Sequence, residues 1–143
     1  MLWHKRYTIQ DALDLVTHEN ILDQLGLEFT EIGDDFLTAR MPVDKRTHQI
    51  HGILHGGATC VLAETIGSFA SIMCVDTDTY YAVGSQISVN HLRPVTQGFV
   101  TAHCLPVHIG RKKHVWDIRI TDERDKLVAK CELTCAVIDK PKT

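Results

Sequence analysis

The stretch HGILHGGATCVLAETIGSFASIMCV, residues 51–75, decides the fold. From Ala58 to Val75 it has the length of a helix, contains no proline and is apolar on nearly every side. A helix apolar all round has to be wrapped by other structure. Glu64 breaks the pattern, with Val61, Leu62, Ala63 and Ile66 around it. Glu64, Ser68 and Ser71 fall at i, i+4 and i+7, which draws one polar stripe along an apolar cylinder. An unpaired buried carboxylate is costly, so it shifts its pKa or finds a partner. The stripe reads either as a structural glutamate in a hydrogen-bond network or as a general base or nucleophile lining a pocket.

His55-Gly56-Gly57 leads into this helix. Glycines let a backbone approach a ligand closely, and the free N–H groups of a helix N-terminus suit a developing oxyanion. The same pair also suits a plain tight turn. His48, His51 and His55 are spaced unlike the i, i+4 histidines of HExxH, and Asp44 is the one acid nearby, so no metal is expected.

Working outward, Ile9 to Leu25 spaces its leucines, valine and isoleucine as one or two short amphipathic helices stopped by Gly26. Phe36 to Val43 alternates as a half-buried strand after the turn Gly33-Asp34-Asp35. After Asp76-Thr77-Asp78 come four strand-like runs: Tyr80–Leu92, Gly98–Ile109, His114–Thr121 and Lys126–Ile138. Their short separators favour antiparallel pairing of successive strands. The order predicts an α+β fold in which an antiparallel sheet curls around one long central helix. A sheet of this size leaves part of the helix uncovered, which points to an oligomer.

The 143 residues suffice for one core, and 1–143 is read as a single domain. A net charge of −3 offers nucleic acid no broad attraction. No apolar run approaches the roughly 20 residues of a membrane span, and MLWHKRYTIQDALDLV has no signal-peptide pattern, so a cytoplasmic location is expected. Five cysteines without a CxxC pair read as reduced thiols, with Cys131 and Cys135 on one strand face. The cationic turn Gly110-Arg111-Lys112-Lys113-His114 is either solvated or a seat for substrate phosphates, and Arg93-Pro94 allows the same two readings.

HGILHGGATCVLAETIGSFAS resembles the signature of hotdog-fold thioesterases, in the branch with HGG followed by a helical glutamate. VGSQISVNHLRP, HIGRKKHVWDIRI and the closing strand extend the resemblance over most of the chain. It is strongest to bacterial enzymes that hydrolyse 1,4-dihydroxy-2-naphthoyl-CoA or clear misloaded aryl carrier proteins in enterobactin synthesis. The resemblance implies that Glu64 attacks the thioester or activates water, and that the Gly56 N–H polarises the carbonyl. It implies that His55 and Gln49 position substrate and water, that Ser68 assists, and that His91 lies near the acyl group. Val83, Gly84, Arg111 and Lys112 would hold the pantetheine and phosphates of CoA. His55 and Gln49 would come from one subunit and Glu64 from the other, so that the site lies across a homodimer interface, and the usual assembly would be a homotetramer. No cofactor is implied. Two departures stand out: GRKKH replaces a less basic turn, and His51 stands where an apolar or aromatic residue is usual.

The expected function is therefore hydrolysis of a CoA thioester, with an aryl acyl group, or of a thioester on an acyl or aryl carrier protein. A non-catalytic acyl-CoA-binding hotdog protein is the alternative, though it would have no use for a carboxylate beside the thioester. A hydratase pairing His55 with Glu64 is a third reading.

Overall fold

The computed structural model describes residues 1–16 and 18–143. Two short helices, α1 (Ile9–Asp14) and α2 (Ile21–Leu25), precede the strands β1 (Glu28–Ile32) and β2 (Leu37–Pro42). The long helix α3 (Gly56–Cys74) follows. Four strands complete the chain: β3 (Tyr80–His91), β4 (Phe99–Ile109), β5 (Lys113–Thr121) and β6 (Leu127–Asp139). Helices as short as α1 and α2 are marginal alone. Each has a capping box, Thr8 with Asp11 and Asn20 with Asp23, and Gly26 ends α2 in the left-handed conformation at φ 68°.

The strands form one antiparallel sheet in the order β1-β2-β4-β5-β6-β3, a hotdog arrangement with α3 in its concave face. Leu62, Ile66, Ala70 and Met73 of α3 meet an inner sheet face of Leu37, Met41, Val100, Trp116, Ile118 and Leu133, all without exposed surface. Helix and sheet approach closely at Gly67, where an added methyl would come within 2.4 Å of Leu133 Cδ2. Cys131 and Cys135 both face this core, as their even spacing implies.

Three expectations need correction. First, β3 and β4 follow one another without pairing. β3 runs beside β6, and residues 92–98 carry the chain across the end of the fold. That connection is held by the buried Val95, whose carbonyl accepts from Leu54 N–H, and by Gly98, whose carbonyl accepts from Val43 N–H. A 12-residue strand finds its partner in the β6 ladder, whatever the length of the link that follows it.

Second, Glu64 is not buried, although the sheet leaves part of α3 uncovered as expected. Val61, Thr65, Ser68 and Ile72 are half-buried and Glu64 is exposed, so the carboxylate read as buried lies at the surface of a single copy. Third, α3 does pass the length and composition test for a membrane span, at a mean hydropathy of 1.4. Half of it is buried against the sheet, which marks it as a core helix.

Candidate active site

The residues singled out in the sequence form separate groups along α3. At its N-terminus His55 is the cap. The ring Nδ1 accepts from Gly57 N–H at 2.7 Å, which leaves Nε2 to carry the proton and point a donor elsewhere. A side chain at Gly57 would collide with that ring, since an added methyl lies 2.9 Å from its Cε1 and Nδ1. Gly56 N–H has no acceptor among the described residues, as expected for the first turn of a helix. It opens on a cleft of about 360 Å³ shared with Gln49, Thr59, His91 and Arg93. A methyl on Gly56 would come within 3.1 Å of His91 Nε2, so β3 delivers that imidazole to the oxyanion-ready end of the helix.

Gln49 sits in a tight loop, where its Oε1 accepts from His51 N–H, its N–H bonds the Ile53 carbonyl, and its own carbonyl accepts from Gly52 N–H. His48 leaves the histidine series for a bond to the Thr96 carbonyl at 2.9 Å. The three histidines are thus divided among a loop bridge, an exposed tip and a helix cap.

Glu64 lies two turns further on, about 12 Å along the axis from Gly56. Its carboxylate rests on the backbone of Gly84, where an added Cβ would meet Oε1 at 2.6 Å. β3 therefore runs alongside α3 with Gly84 at Glu64 and His91 at Gly56. A β-bulge between Gly84 and Gln86 keeps Gly84 on the helix side as well as Ile87. Val83 projects from the opposite face and is exposed, so its side chain and Gly84 are on different sides of the sheet.

The proposed polar stripe divides. Ser68 stays half-buried on the uncovered face, while Ser71 is fully buried and its Oγ accepts from Trp116 Nε1 at 2.7 Å. Cys60, one turn before Glu64, has its thiol pKa raised by burial first and then by the glutamate charge.

The cationic turn lies at the other end of α3. Arg111 and Lys112 line a cavity of about 690 Å³ with His4, Cys74, Tyr80 and His114. Lys112 is paired with Asp139 at 2.7 Å, both exposed, and lies 5.9 Å above the Tyr80 ring. His114, read in the sequence as part of that basic turn, points inward instead. It is 2% exposed, its Nδ1 has no partner, and burial pushes its pKa below the ordinary value. Its parity with Trp116, Ile118 and Ile120 was the available signal. Arg93 joins the Gly56 cleft and not the Arg111 cavity, a grouping no spacing rule would give.

A single copy thus holds a capped helix N-terminus with an open N–H and a carboxylate about 12 Å further along α3. Residues 51–129 match the family model described as Thioesterase superfamily. The proofreading thioesterase EntH of Cronobacter turicensis is 44% identical over 138 residues, covering 96% of this chain and 99% of its own. A mutant of thioesterase PA1618 from Pseudomonas aeruginosa superposes with a TM-score of 0.94 at 44% identity, covering 98% of this chain and 100% of its own. Thioesterase HI1161 from Haemophilus influenzae gives 0.91 at 43% identity, with 97% and 96% covered. The chain belongs to the thioesterase superfamily, with the hotdog fold.

Proposed function

We propose that this protein hydrolyses acyl-CoA or acyl-carrier thioesters, with an aryl group as the acyl part, at a site built from two copies of the chain. The observation that carries this reading is the placement of Glu64 against Gly84 and of Gly56 against His91 on one helix–strand pair. About 12 Å of helix separates the two within one copy. An antiparallel pairing of β3 with β3 of a second copy puts Gly84 opposite His91, and so brings each Glu64 to the other copy's Gly56. Both residues face the helix side, as directly opposed residues must. Allowing for the bulge, this register places the two-fold axis at Ser88.

In that site the thioester carbonyl oxygen accepts from Gly56 N–H, aided by the positive end of α3. His55 Nε2–H and Gln49 orient substrate and water from the same side. Glu64 of the other copy takes a proton from water as it attacks the carbonyl carbon, or attacks that carbon itself and forms a mixed anhydride that water hydrolyses after the thiolate has left. Collapse of the tetrahedral oxyanion breaks the C–S bond, the thiolate leaves and takes up a proton, and the acid is released. Ser68, one turn from Glu64 and half-buried, would help to hold the water.

From Glu64 to Cys74 is about 15 Å along α3, a span that an extended phosphopantetheine arm bridges. The arm would follow the backbone of Val83 and Gly84 toward the turn bearing Arg111 and Lys112. The backbone also gathers other basic residues there. His4 N–H bonds the Met73 carbonyl, and Lys140 N–H bonds the Thr79 carbonyl. Phosphates of CoA, or of a carrier's prosthetic group, find their countercharge at this end. A dimer of dimers is the assembly expected by family likeness.

The test is thiol release from benzoyl-, 4-hydroxybenzoyl-, hexanoyl- and palmitoyl-CoA. Release that falls at least 100-fold in Glu64→Gln, with folding unchanged, supports the mechanism. Unchanged turnover in that variant overturns it, and binding of intact thioesters without release would assign the chain to the non-catalytic carriers.

A further inference from the structure

The cleft at Gly56 holds a cation that the chemistry above does not use. Its apolar walls are Ile53, Leu54, Leu92, Pro94 and Val128, and its polar groups are Gln49, Thr59, His91 and Arg93. Among the described residues no carboxylate lines it. His91 and Arg93 are two residues apart in extended chain, so both turn toward the start of α3, His91 against Gly56 itself. The backbone that carries Arg93 is pinned. Leu92 N–H and Arg93 N–H both bond the Val128 carbonyl, and the carbonyl of the buried Val95 accepts from Leu54 N–H. The side chain itself is exposed at the open edge of the cleft and forms no ion pair among the described residues. Asp122 is the acid that feels its charge, and only weakly. The Lys126 N–H does most to hold that carboxyl below its ordinary value, and Arg93 does least.

We propose that Arg93 selects acyl groups that carry a carboxylate at the end remote from the thioester. The inference rests on the thioesterase reading of Gly56 and Glu64. In that reading Gly56 N–H holds the thioester carbonyl, so the groups on the carbonyl carbon lie in or beside this cleft. The thiol arm leaves along α3 of the copy that supplies Glu64. That leaves the cleft, on the copy that supplies Gly56, to the acyl group. Arg93 stands about 6.5 Å of extended chain beyond His91, the residue set against Gly56. The walls between suit methylenes or a ring, and the guanidinium at the edge offers a planar fork that matches a carboxylate. Arginine keeps its charge at every working pH, so a neutral acyl end displaces water from a cation and gains no bond in return. The substrate class assigned is thioesters of dicarboxylic acids, aliphatic or aryl, hydrolysed at one end.

The test compares kcat/KM for adipoyl- against hexanoyl-CoA, and for 4-carboxybenzoyl- against benzoyl-CoA, in the wild-type chain, in Arg93→Gln and in Arg93→Lys. The wild type is expected to favour the carboxylated member of at least one pair by about tenfold or more. Arg93→Gln should bring that ratio near one. Arg93→Lys, which keeps the charge and loses the fork, should fall between the two. A wild type that favours neither carboxylated thioester overturns the proposal, and this readout needs no variant. A folded Arg93→Gln chain that keeps the wild-type ratio overturns it as well. That includes a uniform loss on all four thioesters, which would give Arg93 to the phosphates of CoA. Failure of the wild type on every thioester, benzoyl and hexanoyl included, strikes instead at the thioesterase reading on which the proposal rests.

Discussion

The Glu64 carboxylate lies against the backbone of Gly84, so closely that a β-carbon on Gly84 would come within 2.6 Å of Oε1 and 3.3 Å of Cδ and Cγ. The strand thereby sets where the carboxylate stands, and any side chain at residue 84 must move it. Gly84→Ala is expected to lower kcat about 100-fold, the scale on which a displacement of about 1 Å acts. Its thermal midpoint should stay close to wild type, because the residue is only half-buried at a sheet edge. Kinetics paired with melting would show it, and a fully active Gly84→Ala chain would mean that Glu64 has no fixed position to lose.

The paired-strand site makes a covalent prediction. Ser88 projects from the outer sheet face and is exposed, and the register that joins Glu64 to the second copy's Gly56 sets Ser88 opposite its own counterpart. Directly opposed Cα atoms lie within disulfide range. Ser88→Cys should form a dimer on a non-reducing gel after mild oxidation, where the parent chain with its five thiols does not. Tyr81→Cys, far along the same strand, serves as the control. Cross-linking at Tyr81 but not at Ser88 would place the axis elsewhere.

Trp116 is fully buried and donates its indole N–H to Ser71 Oγ. Ser71→Ala leaves that donor unpaired in the core, at a cost of about 1–3 kcal/mol. The expected outcome in urea is a lower midpoint with an unchanged m-value.

His114 links stability to pH. Burial lowers its pKa from the ordinary 6.5 in the folded chain, with a smaller opposing effect from the Gly110 backbone. The unfolded chain takes up the proton first as pH falls, so this contribution is complete above 6.5 and is lost as pH drops through the folded value. The melting temperature should therefore fall as pH drops below the ordinary 6.5, and His114→Phe should flatten that slope. An identical slope in the variant would assign the titration to another group.

The elements of the fold were legible because each carries its own period. Alternation marked β2, β5 and β6, Gly26 and the acidic turn at residues 33–35 marked boundaries, and the apolar run marked α3. What was hidden was the partner of each surface. A helix apolar all round reads the same whether a sheet or a second copy covers a given side, so Glu64 was expected inside and stands at the border. Ser68 and Ser71 lie about 40° ahead of and about 20° behind Glu64 around the helix. The edge of the sheet falls within that narrow stripe and buries Ser71 under Trp116. The β3–β6 pairing likewise depends on the whole sheet closing, which no local signal in residues 92–98 encodes. The candidate residues could be picked out from the sequence, but their division among three places along α3 could not.

β3 ends the sheet with 12 residues bonded on one side only, while the opposite edge is the five-residue, bulged β1. A long open edge is a template for uncontrolled strand addition. If a second copy occupies it, the contact that completes the site also keeps the protein in solution. Dilution or an edge-disrupting substitution would then remove activity and create an aggregation nucleus in the same step, so loss of turnover and loss of solubility should follow one concentration curve.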